Sequence, residues 1–278
     1  MSWQAEGQVK LVDLVYAVIL GIIEGLTEFL PVSSTGHMVL AMPLMGIDAG
    51  QPPWNVLLWV SQFAAILAVI VIFGRDLWRR TIHPPRPGWK HHILVQLVAA
   101  MVPTVILAVL FKKYTDPLEQ MPVAVAGALI VGAVAMWLID RYCRRSGPMR
   151  LEDVSLLQAF LIGVIQCISM WPGVSRSGAT IFGGMALGLT PRVATEFTFY
   201  LAIPTMLAAA AKTLLDLGGT LTGEHLAVVL VGSAVAFIVA LVVVAGFLEF
   251  VKRYRFTVFA VYRVVLGVAV LVYYFAQP

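Results

Sequence analysis

The chain alternates between long uncharged stretches and short loops that carry most of its basic residues. Four stretches approach or exceed the roughly 20 apolar residues that an α-helix needs to cross a hydrocarbon core. Two others are weaker, because one is short before Lys212 and the other contains Arg263. We predict six transmembrane helices, over 54–74, 93–111, 121–139, 197–211, 226–248 and 256–275.

Two further apolar stretches, 11–45 and 155–189, are each interrupted by a polar turn, at 31–36 and 172–178. Each stretch is typical of two short helices around that turn. If both helices of a pair start and finish on the same side, the pair is a re-entrant hairpin, which a membrane tolerates only where protein or a water-filled cavity surrounds the irregular backbone. The two turns are therefore expected to face a cavity.

The two interrupted stretches resemble each other at an offset of 142 positions. Four residues recur without a gap: Gly21, Val32, Ser33 and Gly36 match Gly163, Val174, Ser175 and Gly178. Each half then holds a hairpin and three spans, an odd number of crossings, so the second half is inverted. We predict an all-α polytopic membrane protein, one membrane domain over 1–278, with inverted half-repeats of about 11–140 and 151–275. Such repeats place a shared site near the bilayer midplane.

Composition agrees with a lipid solvent, since 60% of the residues are hydrophobic and only 12% are charged. The net charge of +4 does not indicate nucleic-acid binding, because the basic residues lie in short loops between spans. By the positive-inside rule these loops are cytoplasmic, which makes the first hairpin enter from outside. Neither cysteine, Cys143 or Cys167, has a metal-binding spacing, and both are expected to be free thiols.

Glu24 and Glu28 are four residues apart on the first helix of the first hairpin, so both carboxylates lie on one face. Charged side chains are costly in a bilayer, by roughly 2.5–3.5 kcal/mol each at the centre on insertion scales. The pair is therefore expected to face a cavity and a divalent cation, Mg²⁺ or Ca²⁺, shared with substrate phosphates. The alternative is a pair near the outer interface that simply reaches water.

His37 follows the hydroxyl-rich turn formed by Ser33, Ser34 and Thr35. An imidazole there is suited to acid or base catalysis. A lone histidine at a helix start is more often structural, but the nearby glutamates and hydroxyls favour a functional role.

Arg176 occupies the matching turn of the second half, between Ser175 and Ser177, with Thr180 one helical turn further on. A guanidinium, hydroxyls and a helix N-terminus together form an anion site suited to phosphate. The alternative is a structural ion pair between Arg176 and the glutamates, and the two roles are compatible.

Two other charged residues are assigned no role in the site. Arg263 lies towards the inner end of the last span and is expected to extend its charged group to the interface. Glu196 is expected to pair with Arg192.

Two segments of the sequence resemble the motifs of a known family. The segments EGLTEFLPVSSTGH, residues 24–37, and PGVSRSGAT, residues 172–180, are similar to the two signature motifs of the undecaprenyl-diphosphatase family of the bacitracin-resistance type. The resemblance extends over nearly the whole chain, including EFTFYLAIP at 196–204, and no motif position departs from it.

The resemblance implies hydrolysis of undecaprenyl pyrophosphate to the monophosphate, which recycles the lipid carrier of cell-wall synthesis and confers bacitracin resistance. Arg176 and a cation held by Glu24 and Glu28 would neutralise the pyrophosphate, Ser34 or a water would attack phosphorus, and His37 would transfer a proton. Whether Ser34, His37 or water is the nucleophile does not follow from the sequence. The resemblance further implies a bacterial inner-membrane location, a site that opens to the outer face, and a homodimer.

Two other classes of membrane protein share some of these features. Lipid phosphatases of the acid-phosphatase type require a second histidine after their Ser-Arg pair, and Phe182 occupies that place here. A lipid transporter or flippase would share the inverted repeats and broken helices, but transport alone does not require paired carboxylates, a histidine and a serine-flanked arginine.

Overall fold

The computed structural model describes residues 10–115, 121–143, 147, 150–217 and 223–276, and these ranges contain helices and connecting turns but no strand. The α-helices of the described chain are α1 (Leu11–Thr27), α2 (Ser34–Leu44), α3 (Trp54–Ile82), α4 (Ile93–Thr115), α5 (Pro122–Tyr142), α6 (Leu156–Gln166), α7 (Arg176–Ala186), α8 (Pro191–Leu217), α9 (Gly223–Arg253) and α10 (Thr257–Ala276).

Six helices are long and apolar enough to cross a membrane: α3, α4, α5, α8, α9 and α10. Large apolar side chains remain exposed on their outer faces, among them Val109, Val131 and Val242, as expected for surfaces that contact lipid. The two spans predicted with the weaker signal, in α8 and α10, are continuous helices although they contain Pro204 and Arg263. The prediction of an all-α membrane protein with six spans is confirmed.

Each interrupted stretch folds back on itself as a pair of short helices. In the first pair, Ile47 just after α2 shares an apolar cluster with Leu14 near the start of α1. In the second pair, Nε2 of Gln158 in α6 donates to the carbonyl oxygen of Leu187, just after α7, at 3.0 Å. Both hairpins thus start and finish at the same place, which is compatible with re-entrant hairpins.

The two hairpin turns have the same local backbone conformation. Ser33 and Ser175 have φ values of 70° and 73°, in a region that residues with a side chain seldom occupy. The Oγ atom of each serine accepts a hydrogen bond from the amide three residues later, that of Gly36 at 3.3 Å and that of Gly178 at 3.1 Å. This N-cap starts α2 and α7 in the same way, which is compatible with the predicted repeat.

The basic segments lie together at one end of the helix bundle. Arg80, near the end of α3, forms an ion pair with Glu152, which precedes α6. Asp140, near the end of α5, accepts a hydrogen bond at 3.0 Å from the amide of Phe256, which lies between α9 and α10. The ends of α3, α5 and α9 and the starts of α6 and α10 therefore meet at this end, which we call the basic end.

The two hairpins enter the bundle from opposite ends. Gly21 of α1 lies against Gly232 of α9, and Gly25 lies against Ala236, so the two helices run parallel. Because α9 finishes at the basic end, α1 starts at the other end. The second hairpin starts at the basic end, since α6 follows Glu152 directly. This arrangement is compatible with an inverted repeat.

Glycines permit the close contact between each hairpin and its neighbouring span. A Cβ atom on Gly21 would overlap the carbonyl oxygen of Gly232 in α9, and one on Gly163 of α6 would overlap the carbonyl oxygen of Ala100 in α4. Small residues at such contacts let helix backbones approach closely, which is how helices associate in lipid. The hairpins are therefore held by backbone packing, and their turns are brought together inside the bundle.

Candidate active site

The two hairpin turns line one polar cavity of about 360 Å³. Trp59 and Gln62 of α3 and Thr205 of α8 contribute to its other walls. Six of the residues predicted for the site line this cavity: Glu28, Ser33, Ser34, Thr35, Ser175 and Arg176. The expectation that the two turns face a common cavity is met by these residues.

Glu28 connects the two halves of the cavity. Its Oε2 atom accepts a hydrogen bond from Oγ of Ser34 at 2.7 Å, and its Oε1 atom lies 2.8 Å from Nη2 of Arg176. The side chains of Glu28 and Arg176 are 10% and 20% exposed, so the ion pair is largely shielded from solvent. Charge-assisted hydrogen bonds of this length are strong and hold the groups in a fixed geometry. A hydroxyl, a carboxylate and a guanidinium are thereby placed side by side.

The N-termini of α2 and α7 point into the same region, because Ser34 and Arg176 are the first residues of these helices. The first amides of a helix lack acceptors within the helix and carry the positive end of its dipole. Here each capping serine takes one amide, that of Gly36 or Gly178, and the earlier amides remain available. Two helix N-termini and a guanidinium make this cavity favourable for an anion such as phosphate.

Glu24 lies one helical turn before Glu28 and is 1% exposed. Its carboxyl group is within electrostatic range of both Glu28 and Arg176, although Glu24 does not line the cavity. Among the described residues, Oε1 of Glu24 and Nη1 of Arg176 are buried without a hydrogen-bond partner. Buried polar atoms are seldom left unpaired, so each of these two atoms is free to take a partner from a ligand or an ion.

The donor set of the glutamates fits a divalent cation. Within the described ranges, no group of three or more histidine, cysteine, aspartate and glutamate side chains comes together. The protein would therefore supply the carboxylates of Glu24 and Glu28, and phosphate oxygens and water would complete the shell. Mg²⁺ is usually held in this manner, whereas Ca²⁺ takes more ligands. The unpaired oxygen of Glu24 gives such an ion a ligand that has no other partner in the described chain.

His37 is placed beside the cavity, and its ring is not part of the cavity lining. Nδ1 lies 2.7 Å from the carbonyl oxygen of Ser33, and Nε2 lies 2.6 Å from the hydroxyl of Tyr262 in α10. The two rings are also stacked, with 5.5 Å between centroids. Because a carbonyl oxygen only accepts, Nδ1 carries a hydrogen and donates a hydrogen bond to the carbonyl oxygen of Ser33. The catalytic assignment of His37 stays a prediction, and this placement favours support of the turn.

Ser177 and Thr180, which were predicted to bind phosphate, lie outside the cavity lining. Oγ of Ser177 donates to the carbonyl oxygen of Leu30 at 2.8 Å and so ties the second turn to the first hairpin. Oγ1 of Thr180 accepts a hydrogen bond from Thr198 of α8 at 2.9 Å. Both side chains are 1% exposed, and these contacts support the turn from behind.

The expectation for Arg263 is wrong. Its side chain is 1% exposed and its guanidinium donates hydrogen bonds to backbone carbonyls inside the protein, so it does not extend to the interface. A charged residue within an apolar span is a signal of a specific internal role, and this signal was present in the sequence. Tyr262, the neighbour of Arg263 and the partner of His37, had no such signal.

Two minor expectations are confirmed. Nε of Arg192 lies 2.8 Å from Oε1 of Glu196, which makes the predicted ion pair. Cys143 and Cys167 are free thiols.

The helices and the cavity together define a multi-pass α-helical membrane protein whose polar site is built from the turns of two helix hairpins. Residues 17–269 match the family described as Bacitracin resistance protein BacA. The chain belongs to this family.

Individual relatives cover almost the whole chain. It is 45% identical over 264 residues to a protein of Novosphingobium aromaticivorans named undecaprenyl-diphosphatase, with 93% of this chain and 97% of the relative covered. It is 40% identical over 268 residues to undecaprenyl-diphosphatase 1 of Clostridioides difficile, covering 96% and 98%. A Flavobacterium psychrophilum undecaprenyl-diphosphatase is 39% identical over 270 residues, again with 96% and 98% covered. The resemblance found in the two motifs is confirmed.

Proposed function

We propose that this protein hydrolyses undecaprenyl pyrophosphate to undecaprenyl phosphate and inorganic phosphate. The observation that carries the proposal is the contact of Glu28 with both Ser34 and Arg176 inside a cavity that faces two helix N-termini. Membership of the BacA family and the names of the relatives support the same substrate and reaction. Release of the monophosphate returns the lipid carrier to cell-wall synthesis, and the family name connects this activity with bacitracin resistance.

The terminal phosphate would bind between Arg176 and the first amides of α2 and α7. Arg176 has one buried nitrogen, Nη1, without a partner in the described chain, so it can donate to phosphate while Nη2 stays paired with Glu28. Donors that are fixed before the substrate arrives stabilise the charge that develops on phosphoryl oxygens. Hydroxyls of Thr35 and Ser175 line the same cavity and would complete the binding set.

Ser34 is the nucleophile that this geometry favours. Its Oγ atom donates to Glu28 at 2.7 Å, so the carboxylate can take the proton while oxygen attacks the terminal phosphorus. The bond from that phosphorus to the bridging oxygen breaks, and undecaprenyl phosphate leaves with the proton that Glu28 took from Ser34. Water then attacks the phosphorus of the phosphoserine and gives a proton to Glu28. Glu28 passes this proton to Oγ of Ser34 as the bond from Oγ to phosphorus breaks and inorganic phosphate leaves. Direct attack by a water held at Glu28 is the alternative.

Glu24 and Glu28 would hold the divalent cation beside the phosphates. When bound, this ion neutralises pyrophosphate charge and polarises the phosphorus–oxygen bonds. Glu24 would be its main protein ligand, because both oxygens of Glu28 already have partners in Ser34 and Arg176.

The protein is proposed to lie in the bacterial cytoplasmic membrane with its cavity towards the outer face. The basic end of the bundle carries Arg79 and Arg80 of α3 and Lys252 and Arg253 of α9, and the positive-inside rule places such an end in the cytoplasm. Trp59 and Gln62 line the cavity near the opposite end of α3. A substrate headgroup from the outer leaflet would reach the cavity from that side.

A homodimer is proposed from the family resemblance alone. Light scattering on the detergent-solubilised protein, corrected for bound detergent, distinguishes a mass of one chain from two.

Phosphate release by the purified protein tests the proposed function. The substrate is undecaprenyl pyrophosphate in detergent. Phosphate release is measured with Mg²⁺, with Ca²⁺ and with EDTA, for wild type and for the Arg176→Ala variant. We expect cation-dependent release of one phosphate per lipid, with undecaprenyl phosphate as the other product, and its loss in the variant.

No release from a well-folded wild type would overturn the proposal and favour the lipid transporter. That alternative is then measured directly, as movement of a labelled polyprenyl phosphate between the leaflets of proteoliposomes.

A further inference from the structure

Arg263 is buried in the first half of α10 and contacts both hairpin turns. Its Nη1 donates to the carbonyl oxygen of Pro31 at 3.2 Å and to that of Val174 at 2.9 Å, and its Nη2 donates to that of Gly173 at 3.0 Å. Further bonds, from Nε to Leu129 and from Nη2 to Ala128, anchor the same guanidinium on α5 at 3.2 Å each. One side chain thus joins α10, α5 and both turns.

Burial of the guanidinium of Arg263 costs free energy. No carboxylate of the described ranges forms an ion pair with Arg263, and backbone carbonyls alone satisfy its donors. Moving an unpaired charge from water into a protein interior costs several kcal/mol, so carbonyl dipoles must offset the loss. A side chain that only filled space between α5 and α10 would be apolar. The guanidinium, in contrast, can donate hydrogen bonds to the carbonyl oxygens of several segments at once.

The sequence of α5 leaves space for the guanidinium. A Cβ atom on Gly132 would overlap Nη2 of Arg263, whereas one on Gly127, five residues earlier in the same helix, would meet nothing within 4 Å. Gly132 therefore permits the position of Arg263, and Gly127 offers a matched place for a control substitution.

The carbonyl oxygens that Arg263 binds in the two turns belong to residues that come shortly before Ser34 and Arg176 in the chain. Pro31 precedes Ser34 by three residues, and Val174 precedes Arg176 by two. The Glu28–Arg176 ion pair and the Ser34 hydrogen bond join residues of the same two turns. If one turn shifts relative to the other, these distances change together. In enzymes, a displacement of about 1 Å in reacting groups can lower the rate about 100-fold.

We propose that Arg263 is a positioning residue: it fixes the two hairpin turns relative to each other so that Glu28, Ser34 and Arg176 meet. Arg263 does not reach the phosphate itself, because its donors are occupied by backbone carbonyls. This inference rests on the proposed function. It differs from a role in stability alone, since it requires an effect on turnover in protein that is fully folded.

The first test compares Arg263→Met with wild type in undecaprenyl pyrophosphate hydrolysis and in thermal unfolding. Methionine has a similar length and no donors. The substitution should shift Glu28, Ser34 and Arg176 relative to one another, but it leaves the charge of Arg176 that would bind the phosphate. We therefore expect kcat to fall about 100-fold and KM to change less than threefold. Asp140→Asn is the stability control, since it weakens the contact of α5 with the start of α10 at Phe256 and leaves both turns alone.

A pair of glycine variants covers the case in which Arg263→Met does not fold. Gly132→Ala displaces the guanidinium while keeping it in the chain, and Gly127→Ala adds the same atom where space is free. We expect a loss of kcat in Gly132→Ala only. Equal activity of these two variants would overturn the inference.

Chemical rescue separates positioning from general stability. Arg263 and Gly132 line an apolar cavity of about 620 Å³ along α5 and α7, so the space that Arg263→Ala leaves would be continuous with this cavity. Millimolar guanidinium should restore part of the kcat of Arg263→Ala, and tetramethylammonium should not. Activity in Arg263→Met equal to wild type, or a loss that follows the unfolding temperature as in Asp140→Asn, overturns the inference. If wild type itself releases no phosphate, the proposed function has failed instead.

Discussion

The carboxylate of Glu28 lies 2.8 Å from the guanidinium of Arg176, although 148 positions separate them in the chain. The first residue comes from the first hairpin and the second from the turn of the other hairpin. Neither half of the chain contains the site alone. On the proposed function, each of the two motifs supplies groups that the other needs.

A covalent intermediate on Ser34 is the first prediction. Because Oγ of Ser34 already donates to Glu28, attack by this oxygen requires no rearrangement of the side chain. Acid quenching during turnover of substrate labelled in the terminal phosphate should trap label on wild-type protein and none on Ser34→Ala. If wild-type protein carries no label although its turnover is normal, the result would instead indicate direct attack by water.

Glu24→Gln should weaken the response to the divalent cation. The amide removes the negative charge of a carboxyl whose Oε1 has no partner in the described chain, and leaves the contacts of Glu28 intact. We expect the Mg²⁺ concentration for half-maximal activity to rise about tenfold, equivalent to about 1.4 kcal/mol of lost binding. Phosphate release measured across a Mg²⁺ titration checks this. An unchanged half-maximal concentration would remove Glu24 from the cation site.

His37→Asn should retain much more activity than His37→Ala. The asparagine amide can take the place of Nδ1 and donate to the Ser33 carbonyl, so it preserves the contact that supports the turn. Neither variant can transfer a proton as imidazole does. Rates of the two variants between pH 5 and pH 9 decide between the roles: equal, near-complete loss in both would show that His37 acts as an acid or base.

Gly21→Ala should lower the stability of the folded protein. Its Cβ would overlap the carbonyl oxygen of Gly232, so α1 and α9 would have to separate, and overpacking of this kind costs about 1–3 kcal/mol. Gly246→Ala in α9 is the control, because its Cβ would meet nothing within 4 Å. Thermal unfolding in detergent should show a lower midpoint for Gly21→Ala alone. Equal midpoints would mean that the close α1–α9 contact is not maintained.

The sequence was sufficient to predict the six spans and the position of the two turns at a cavity. Apolar run length reports directly on crossing a bilayer, and the repeat of Ser33 at Ser175 placed the turns in equivalent positions. The spacing of Glu24 and Glu28 places both carboxylates towards one face of α1, but only Glu28 of the pair lines the cavity.

The orientation of His37 and the contacts of Arg263 could not be predicted in the same way. Both depend on α10, whose approach to the turns is decided by packing of distant segments and leaves no periodic pattern. Ser177 and Thr180 have the residue types of a phosphate site, but the same hydroxyls equally suit buried contacts, here with Leu30 and with Thr198. Residue type identified the candidate phosphate-binding residues, and only the fold shows which of them face the cavity.

A double-mutant cycle on Glu28 and Arg176 tests the central claim most directly. The rates of phosphate release from undecaprenyl pyrophosphate are measured for wild type, Glu28→Gln, Arg176→Gln and the double variant, with thermal unfolding as the check on folding. If both residues act in one site, each single change should lower kcat/KM at least 100-fold, and the double variant should lose little more than the worse single one, as for residues that act as a unit. Losses that simply multiply, or a single variant with wild-type turnover, would contradict a shared active site formed by the two hairpins.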